Sequence, residues 1–341
     1  MAAAGRRDDA VRALILAPFS ESGLARLRRQ IDVVYQSWLD THTLQDPEEL
    51  GAKLAREGFA ALVVEADFVL AEVFDAAPGL RLVGVCRNAL SQVDVESATS
   101  HGVAITHAPG RNTNAVAEMT LGLMLALARR IPQASALVAG SDWSGAALGY
   151  ERFRGREIAG ATVGVVGFGQ IGREVARKCI ALGARVLVYD PYVPARDVRA
   201  LGATPAAFER VLDESDFVTL HVPDTEGTER LISSEAIARM KPDAFLVNTS
   251  GGAVVDLDAL ADALHGSRLA GAALDVFPGH QLPAASPLRA VPNVILTPHI
   301  GGATAETVER HSRMIADEIE RFIVGRPLRY VVNPEYERAR G

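Results

Sequence analysis

A chain of 341 residues, at roughly 150 per domain, predicts two domains, and its 48% hydrophobic and 23% charged residues exclude bulk disorder. The 35 Lys and Arg against 42 Asp and Glu leave a formal charge of −7 and a pI near 5.7, which argues against nucleic acid as a partner. The 30 Gly and 17 Pro follow no period, which excludes collagen-like and low-complexity readings.

The first ten residues, MAAAGRRDDA, read as a frayed leader, and the apolar run Ala13 to Phe19 is too short for a signal core. No window approaches the roughly 20 apolar residues that cross a bilayer, so no membrane contact is expected. From residue 11 onward, short apolar runs (VRALILAP, IDVVYQS, FAALVVEA, LRLVGVC, VAITHAP) alternate with amphipathic segments, the signature of a parallel sheet covered on both faces. Cys86 and Cys179 lie inside such stretches and cannot by themselves make a zinc cluster or a disulfide framework, which points to a reducing cytoplasm.

The turn residues of THAPGRN, 106 to 112, end this series. A long apolar-periodic helix is then expected from Ala115 to Arg130, placed to bridge domains or contact a second subunit. A second alternating series starts at Gly160, with ATVGVVG, ARVLVYD, FVTLHVP, AFLVNTS, LAGAALDVF and NVILTPH as six strands, the number a dinucleotide-binding sheet requires. An amphipathic helix from Ala303 to Val324 closes the chain.

The most informative stretch is VGVVGFGQIGREVARKCIALGARVLVYD. Gly167, Gly169 and Gly172 form G-x-G-x-x-G after a strand and before a helix, and Asp190 ends the next strand. Gly167 suits the tight turn, Gly169 lets backbone approach a pyrophosphate, and Gly172 allows close helix-strand packing. The helix N-terminus at Gln170 and Ile171 presents free N–H groups to the phosphates. Asp190 would accept from a ribose diol, and Pro191 and Tyr192 supply no cation for a 2′-phosphate, so NAD is expected rather than NADP. A Gly-rich turn in some other doubly wound protein would not require Asp190.

With this fingerprint in its second half, the chain resembles the D-isomer-specific 2-hydroxyacid dehydrogenase family over nearly all its length. The resemblance rests on HAPGRNTNAVAE, VGVVGFGQIG, DFVTLHVPDTEGTERLIS, NTSGG, GAALDVF and NVILTPHIGGAT. It implies an α/β fold of two doubly wound parallel-sheet domains, with a Rossmann cofactor domain (109–302) inserted in a flavodoxin-like substrate domain (1–108 and 303–341). It also implies an active cleft between the domains, a homodimer, and a cofactor lined by Gln170, Ile171, Asp190, His221, Thr228, Thr249 and Asp275, the last holding the nicotinamide carboxamide.

The family's catalytic set is an Arg that clamps the substrate carboxylate and a Glu–His pair that moves the proton. Here Gly251 stands at the Arg position and His280 at the Glu position, and only His299, in Pro298-His299, is kept. Losing one preorganised donor aimed at an oxyanion typically removes 10² to 10³ in turnover, about 3 to 4 kcal/mol. Arg87, in the CRNALSQ turn that replaces the family's glycine-rich one, is the candidate compensating cation, with Asn88 beside it; alternatively Glu65 merely pairs with Arg87. His299 is the expected acid/base. A neighbouring imidazole at 280 cannot stabilise its charged form, which would favour alcohol oxidation.

The other histidines, His42, His101, His107, His265 and His311, show no ligand spacing, and no metal is expected. The first expectation is an NAD-dependent oxidoreductase acting on a small hydroxy or keto molecule, 2-hydroxyacid-like or sugar-acid-like. The alternative is an NAD(H)-binding sensor that has lost hydride transfer.

Overall fold

The computed structural model describes residues 11–140 and 146–340; the leader expected over residues 1 to 10 lies outside them. The chain divides into two compact units, 1–111 with 304–341, and 112–303. No helix among the described residues is long and apolar enough to cross a membrane.

The first unit holds five parallel strands: β1 (Arg12–Ile15), β2 (Asp32–Tyr35), β3 (Ala61–Val64), β4 (Leu82–Val85) and β5 (Ala104–His107), ordered β2-β1-β3-β4-β5. Successive side chains of a strand point to opposite faces. Leu14, Leu62, Val64, Val83, Val85 and Ile105 therefore enter one core, and Ala13, Ile15, Ala61, Val63, Leu82 and Ala104 the other. The second core is closed by Leu24 and Leu27 of the helix Glu21–Arg28 and by Ile315, Ala316 and Ile319 of the helix Ala305–Ile323. That helix starts two residues after the expected Ala303, because the Thr304 hydroxyl accepts from the Thr307 N–H at 3.1 Å and caps it. The C-terminal helix and the N-terminal strands thus share one core although nearly 300 residues separate them.

The second unit is a seven-stranded parallel sheet: β6 (Thr162–Val166), β7 (Arg185–Tyr189), β8 (Thr204–Pro205), β9 (Phe217–Leu220), β10 (Phe245–Asn248), β11 (Gly271–Leu274) and β12 (Val294–Leu296). Its order, β12-β11-β10-β9-β6-β7-β8, reverses between β6 and β9, where a doubly wound sheet opens its ligand crevice. Six of these strands are the six apolar runs. The seventh, β8, pairs only Thr204 and Pro205 with β7 and is too short to carry a periodic signal. The helix expected at Ala115–Arg130 runs from Thr113 to Ala128, and Arg130 turns left-handed at φ 50° ahead of the next helix, Ile131–Ala139, which has Pro in its first turn. Cys86 and Cys179 are both buried among apolar side chains. Burial pushes the Cys179 thiol up to about 12 and Cys86 well above its ordinary value, so neither serves as a thiolate nucleophile near neutral pH.

Candidate active site

In the seven-stranded unit, β6 runs into the turn Gly167-Phe168-Gly169 and the helix Gln170–Ala181. Gly167 has φ 93°, and a Cβ there would lie 2.6 Å from the His221 carbonyl oxygen. A Cβ on Gly172 would lie 2.0 Å from the Gly167 oxygen, so the first helical turn packs directly on the loop. At Gly169, by contrast, a Cβ would meet nothing within 4 Å, and no side chain caps the helix. Open space therefore adjoins an uncapped 12-residue helix, whose first N–H groups and positive dipole end suit a pyrophosphate. Gln170 and Ile171 open this helix; the Gln170 Oε1 accepts from the Thr113 hydroxyl at 3.3 Å.

Asp190 closes the loop from the other side. Its Oδ2 accepts from the Phe168 N–H at 2.7 Å, and its Oδ1 from Tyr192 and Val193 at 2.9 and 3.1 Å. Three backbone donors hold the carboxylate at the strand end, and its remaining lone pairs can take the hydroxyls of a ribose. These features fit an adenine dinucleotide.

Following β9, His221 bonds through Nε2 to the Thr219 hydroxyl at 3.0 Å, while its buried Nδ1 has no partner. Burial lowers its pKa to about 3, so it stays neutral at working pH. The Thr228 hydroxyl donates to the Pro223 carbonyl at 2.6 Å and accepts from the Thr225 N–H at 3.0 Å, which closes the loop 223–228. Thr249 is buried, with its hydroxyl 2.9 Å from that of Thr120 in the helix Thr113–Ala128.

The turn after β12 carries His299, exposed and at φ 56°, a left-handed conformation costing about 1 kcal/mol or more for a residue with a Cβ. Asp275, 1% exposed, holds that turn. Its Oδ1 accepts from the Thr297 hydroxyl at 2.5 Å and the Ile300 N–H at 2.9 Å, and its Oδ2 from the Gly301 N–H at 2.7 Å. The resemblance assigns Asp275 to the nicotinamide carboxamide, yet three of its acceptor positions already serve the turn that presents His299.

Gly251 is extended (φ −127°, ψ 139°), so its backbone would accept any residue, but the space beside it is filled. A Cβ there would lie 2.8 Å from the Asp224 Cβ and 3.1 Å from Val254 Cγ2. A guanidinium at 251 would thus require the loop at 224 to move. His280 ends the short 3-10 turn Pro278–His280; its side chain lies outside the described residues.

In the five-stranded unit, β3, β4 and β5 end side by side, with Val64 opposite Val85 and Val85 opposite His107. Glu65 follows β3 and Arg87 lies just beyond β4. The expected alternative, a Glu65–Arg87 pair, is corrected: Glu65 Oε1 lies 2.6 Å from Arg111 Nη1 in a mostly buried ion pair. Among the described residues the half-buried Arg87 guanidinium makes no hydrogen bond or ion pair. The neighbouring Asn88 is exposed, and its carbonyl accepts from His107 Nδ1 at 3.1 Å.

Sequence reasoning missed Arg111 and His311. The Arg111 Nη1 also donates to His311 Nδ1 at 2.9 Å, and the His311 Nε2–H donates to the Pro18 carbonyl at 2.7 Å. The signal for His311 was its place on the buried stripe with Ile315 and Ile319, a spacing of four. For Arg111 there was only its position in a turn after a strand.

Residues 121–301 match the family model described as "D-isomer specific 2-hydroxyacid dehydrogenase, NAD binding domain". The chain is 38% identical over 312 residues to D-3-phosphoglycerate dehydrogenase of Mycobacterium tuberculosis, covering 92% of this chain and 57% of that protein. It thus spans a little over half the length of such curated relatives. Among solved structures it resembles the TT0316 protein from Thermus thermophilus (TM-score 0.81, 35% identity, 94% of this chain and 100% of that one). A D-lactate dehydrogenase from Sporolactobacillus is similar as well (TM-score 0.77, 30% identity, 94% and 98%).

Proposed function

Because the chain belongs to the D-isomer specific 2-hydroxyacid dehydrogenase family, we propose that it is an NAD-dependent dehydrogenase acting on the CH–OH group of a small hydroxy acid, 2-hydroxyacid-like or sugar-acid-like. The observation that carries this reading is the strained His299 turn, clamped by Asp275, in the same unit as a complete dinucleotide loop. The left-handed backbone of His299 costs energy, and the three bonds that Asp275 accepts from Thr297, Ile300 and Gly301 hold the turn in that conformation.

In oxidation the His299 imidazole takes the hydroxyl proton of the substrate, and in reduction it returns one to the carbonyl oxygen. NAD, when bound, supplies the acceptor for the hydride that leaves the carbinol carbon. Gly167, Gly169, Gly172, Gln170 and Ile171 hold its pyrophosphate and Asp190 its ribose, while His221, Thr228 and Thr249 line the remaining length. Arg87, with Asn88, receives the anionic end of the substrate by a forked, charge-assisted contact. His280 contributes to orienting the substrate. With no guanidinium at 251, the substrate depends less on a clamp beside its reacting carbon than a simple keto acid does. The test is a panel of hydroxy acids, sugar acids and their keto forms, followed by NADH absorbance. Efficient turnover of pyruvate or glyoxylate, kcat/KM of about 10⁴ M⁻¹s⁻¹ or more, would contradict the substrate class.

One observation favours a second reading, an NAD(H)-sensing protein without hydride transfer: Asp224 fills the space a catalytic side chain at 251 would need. Tight NADH binding with no turnover across the whole panel would select it. Two copies pairing as a homodimer is supported by the exposed Leu125, Ile131 and Val138 on consecutive helices. Sedimentation at micromolar concentration tests it.

A further inference from the structure

The charged groups at the carboxyl end of the five-stranded sheet do more than supply Arg87. Parallel neighbours lie about 4.8 Å apart, so the segments after β3, β4 and β5 bring Glu65, Arg87 and Arg111 to one edge. Helix Ala305–Ile323 brings His311 and Arg310 to the same place. Arg111 is held from three directions. It pairs with Glu65 at 2.6 Å with side chains 12% and 15% exposed, it donates to His311 Nδ1, and its carbonyl accepts from Arg310 Nε at 2.6 Å.

His311 accepts at Nδ1 and donates at Nε2, so these bonds fix its neutral tautomer. Burial lowers its pKa as well, with Arg111 adding to that and the Pro18 carbonyl and Glu65 opposing. Glu65 cancels Arg111 and His311 adds no charge; Arg310 is engaged by the Arg111 carbonyl and the Thr307 hydroxyl, and among the described residues Arg87 is the guanidinium here that makes no hydrogen bond or ion pair. Burial also pulls the Arg87 guanidinium below its ordinary value, with Glu65 pushing it back and Arg111 adding to the fall. Glu65 therefore stands within electrostatic reach of two guanidiniums, and the one anchored by His311 and Arg310 has it.

We propose that Arg111 is a positioning residue: by keeping Glu65 in a buried pair it leaves Arg87 as the uncompensated cation that receives a single carboxylate of the substrate. The inference rests on the role given to Arg87 above. One planar guanidinium without a partner of its own matches one carboxylate in a forked contact, whereas a phosphate dianion would call for a second guanidinium open to contact, and Arg111 and Arg310 are both engaged.

The probe is oxamate, a monoanionic carboxylate, titrated by calorimetry into the full chain saturated with NADH, with inorganic phosphate as the charge control. The unaltered chain is expected to bind oxamate more tightly than phosphate. Arg111→Met frees Glu65 to pair with Arg87 and is expected to weaken oxamate at least tenfold with NADH affinity unchanged; adding Glu65→Gln restores binding to within about threefold. Glu65→Gln alone, which leaves the Arg111 charge uncompensated beside Arg87, is expected to bind oxamate as tightly or more so, and this variant decides the matter if Arg111→Met does not fold. The proposal is overturned if Arg111→Met binds normally, if the double variant is not rescued, or if Glu65→Gln alone loses tenfold. It is equally overturned if phosphate binds as well as oxamate. An Arg87→Met chain that binds oxamate normally, or an unaltered chain that does not bind it, refutes the Arg87 assignment itself. NADH oxidation plays no part in these readouts, so the dehydrogenase reading stands or falls separately.

Discussion

The carboxyl ends of the two sheets hold their acids in different ways. In the seven-stranded unit, Asp190 and Asp275 accept from five backbone N–H groups and one hydroxyl, all within about 26 residues of the acceptor. In the five-stranded unit, Glu65 is met by a guanidinium 46 positions away, itself held by an imidazole 200 further on. Backbone donors shape a loop and leave its charge negative, whereas side-chain cations cancel the charge and decide which neighbour keeps its own. The first arrangement suits a ligand of fixed shape; under the proposal above, the second leaves Arg87 to contact the substrate.

The largest effect that would sharpen this contrast is at His299. His299→Asn should lower kcat by about 10² to 10⁴ with little change in NADH dissociation, measured by nucleotide fluorescence; an unaltered rate would move the proton chemistry elsewhere. Next, Asp275→Ala strands three donors and releases the left-handed turn. A loss of about 2 to 4 kcal/mol in urea unfolding is expected, with kcat falling more than NADH affinity. If NADH affinity falls instead and kcat at saturation holds, Asp275 serves the nicotinamide rather than the turn.

Asp190→Ala should cost NADH about tenfold in affinity, roughly 1.4 kcal/mol, and narrow its advantage over NADPH; no change would separate the loop's shape from its selectivity. A further effect concerns stability in acid rather than binding or turnover. The His221 imidazole, neutral and buried with a folded pKa near 3, lets the unfolded chain bind a proton first as the pH falls below its ordinary value of about 6.5. Its contribution is complete above that pH and is lost toward pH 3 at up to ~1.4 kcal/mol per unit. His221→Phe should flatten the decline in melting temperature between pH 6 and 4.

Both sheets were legible because a parallel strand buried on two faces is a continuous apolar run, and eleven of the twelve strands are such runs. β8 was not, since two residues carry no period. The nucleotide loop could be read residue by residue because every constraint on it is local: a positive φ at Gly167, a carbonyl 2.0 Å from where a Gly172 side chain would begin, and an acid at the next strand end. His299 stood out by its motif, but neither its left-handed backbone nor Asp275's hold on it did, since those bonds depend on where the chain turns after β12.

The amino-acid order determined the α/β class, the two-unit division, the dinucleotide loop and the absence of an arginine at 251, all features written in periods or short spacings. Only the folded chain decided that Glu65 pairs with Arg111 rather than Arg87, that a helix starting at residue 305 closes the core of the first strands, and that Asp224 fills the space beside Gly251. Partner choice among charges depends on distance and burial, and these arise only when segments tens to hundreds of residues apart are packed together.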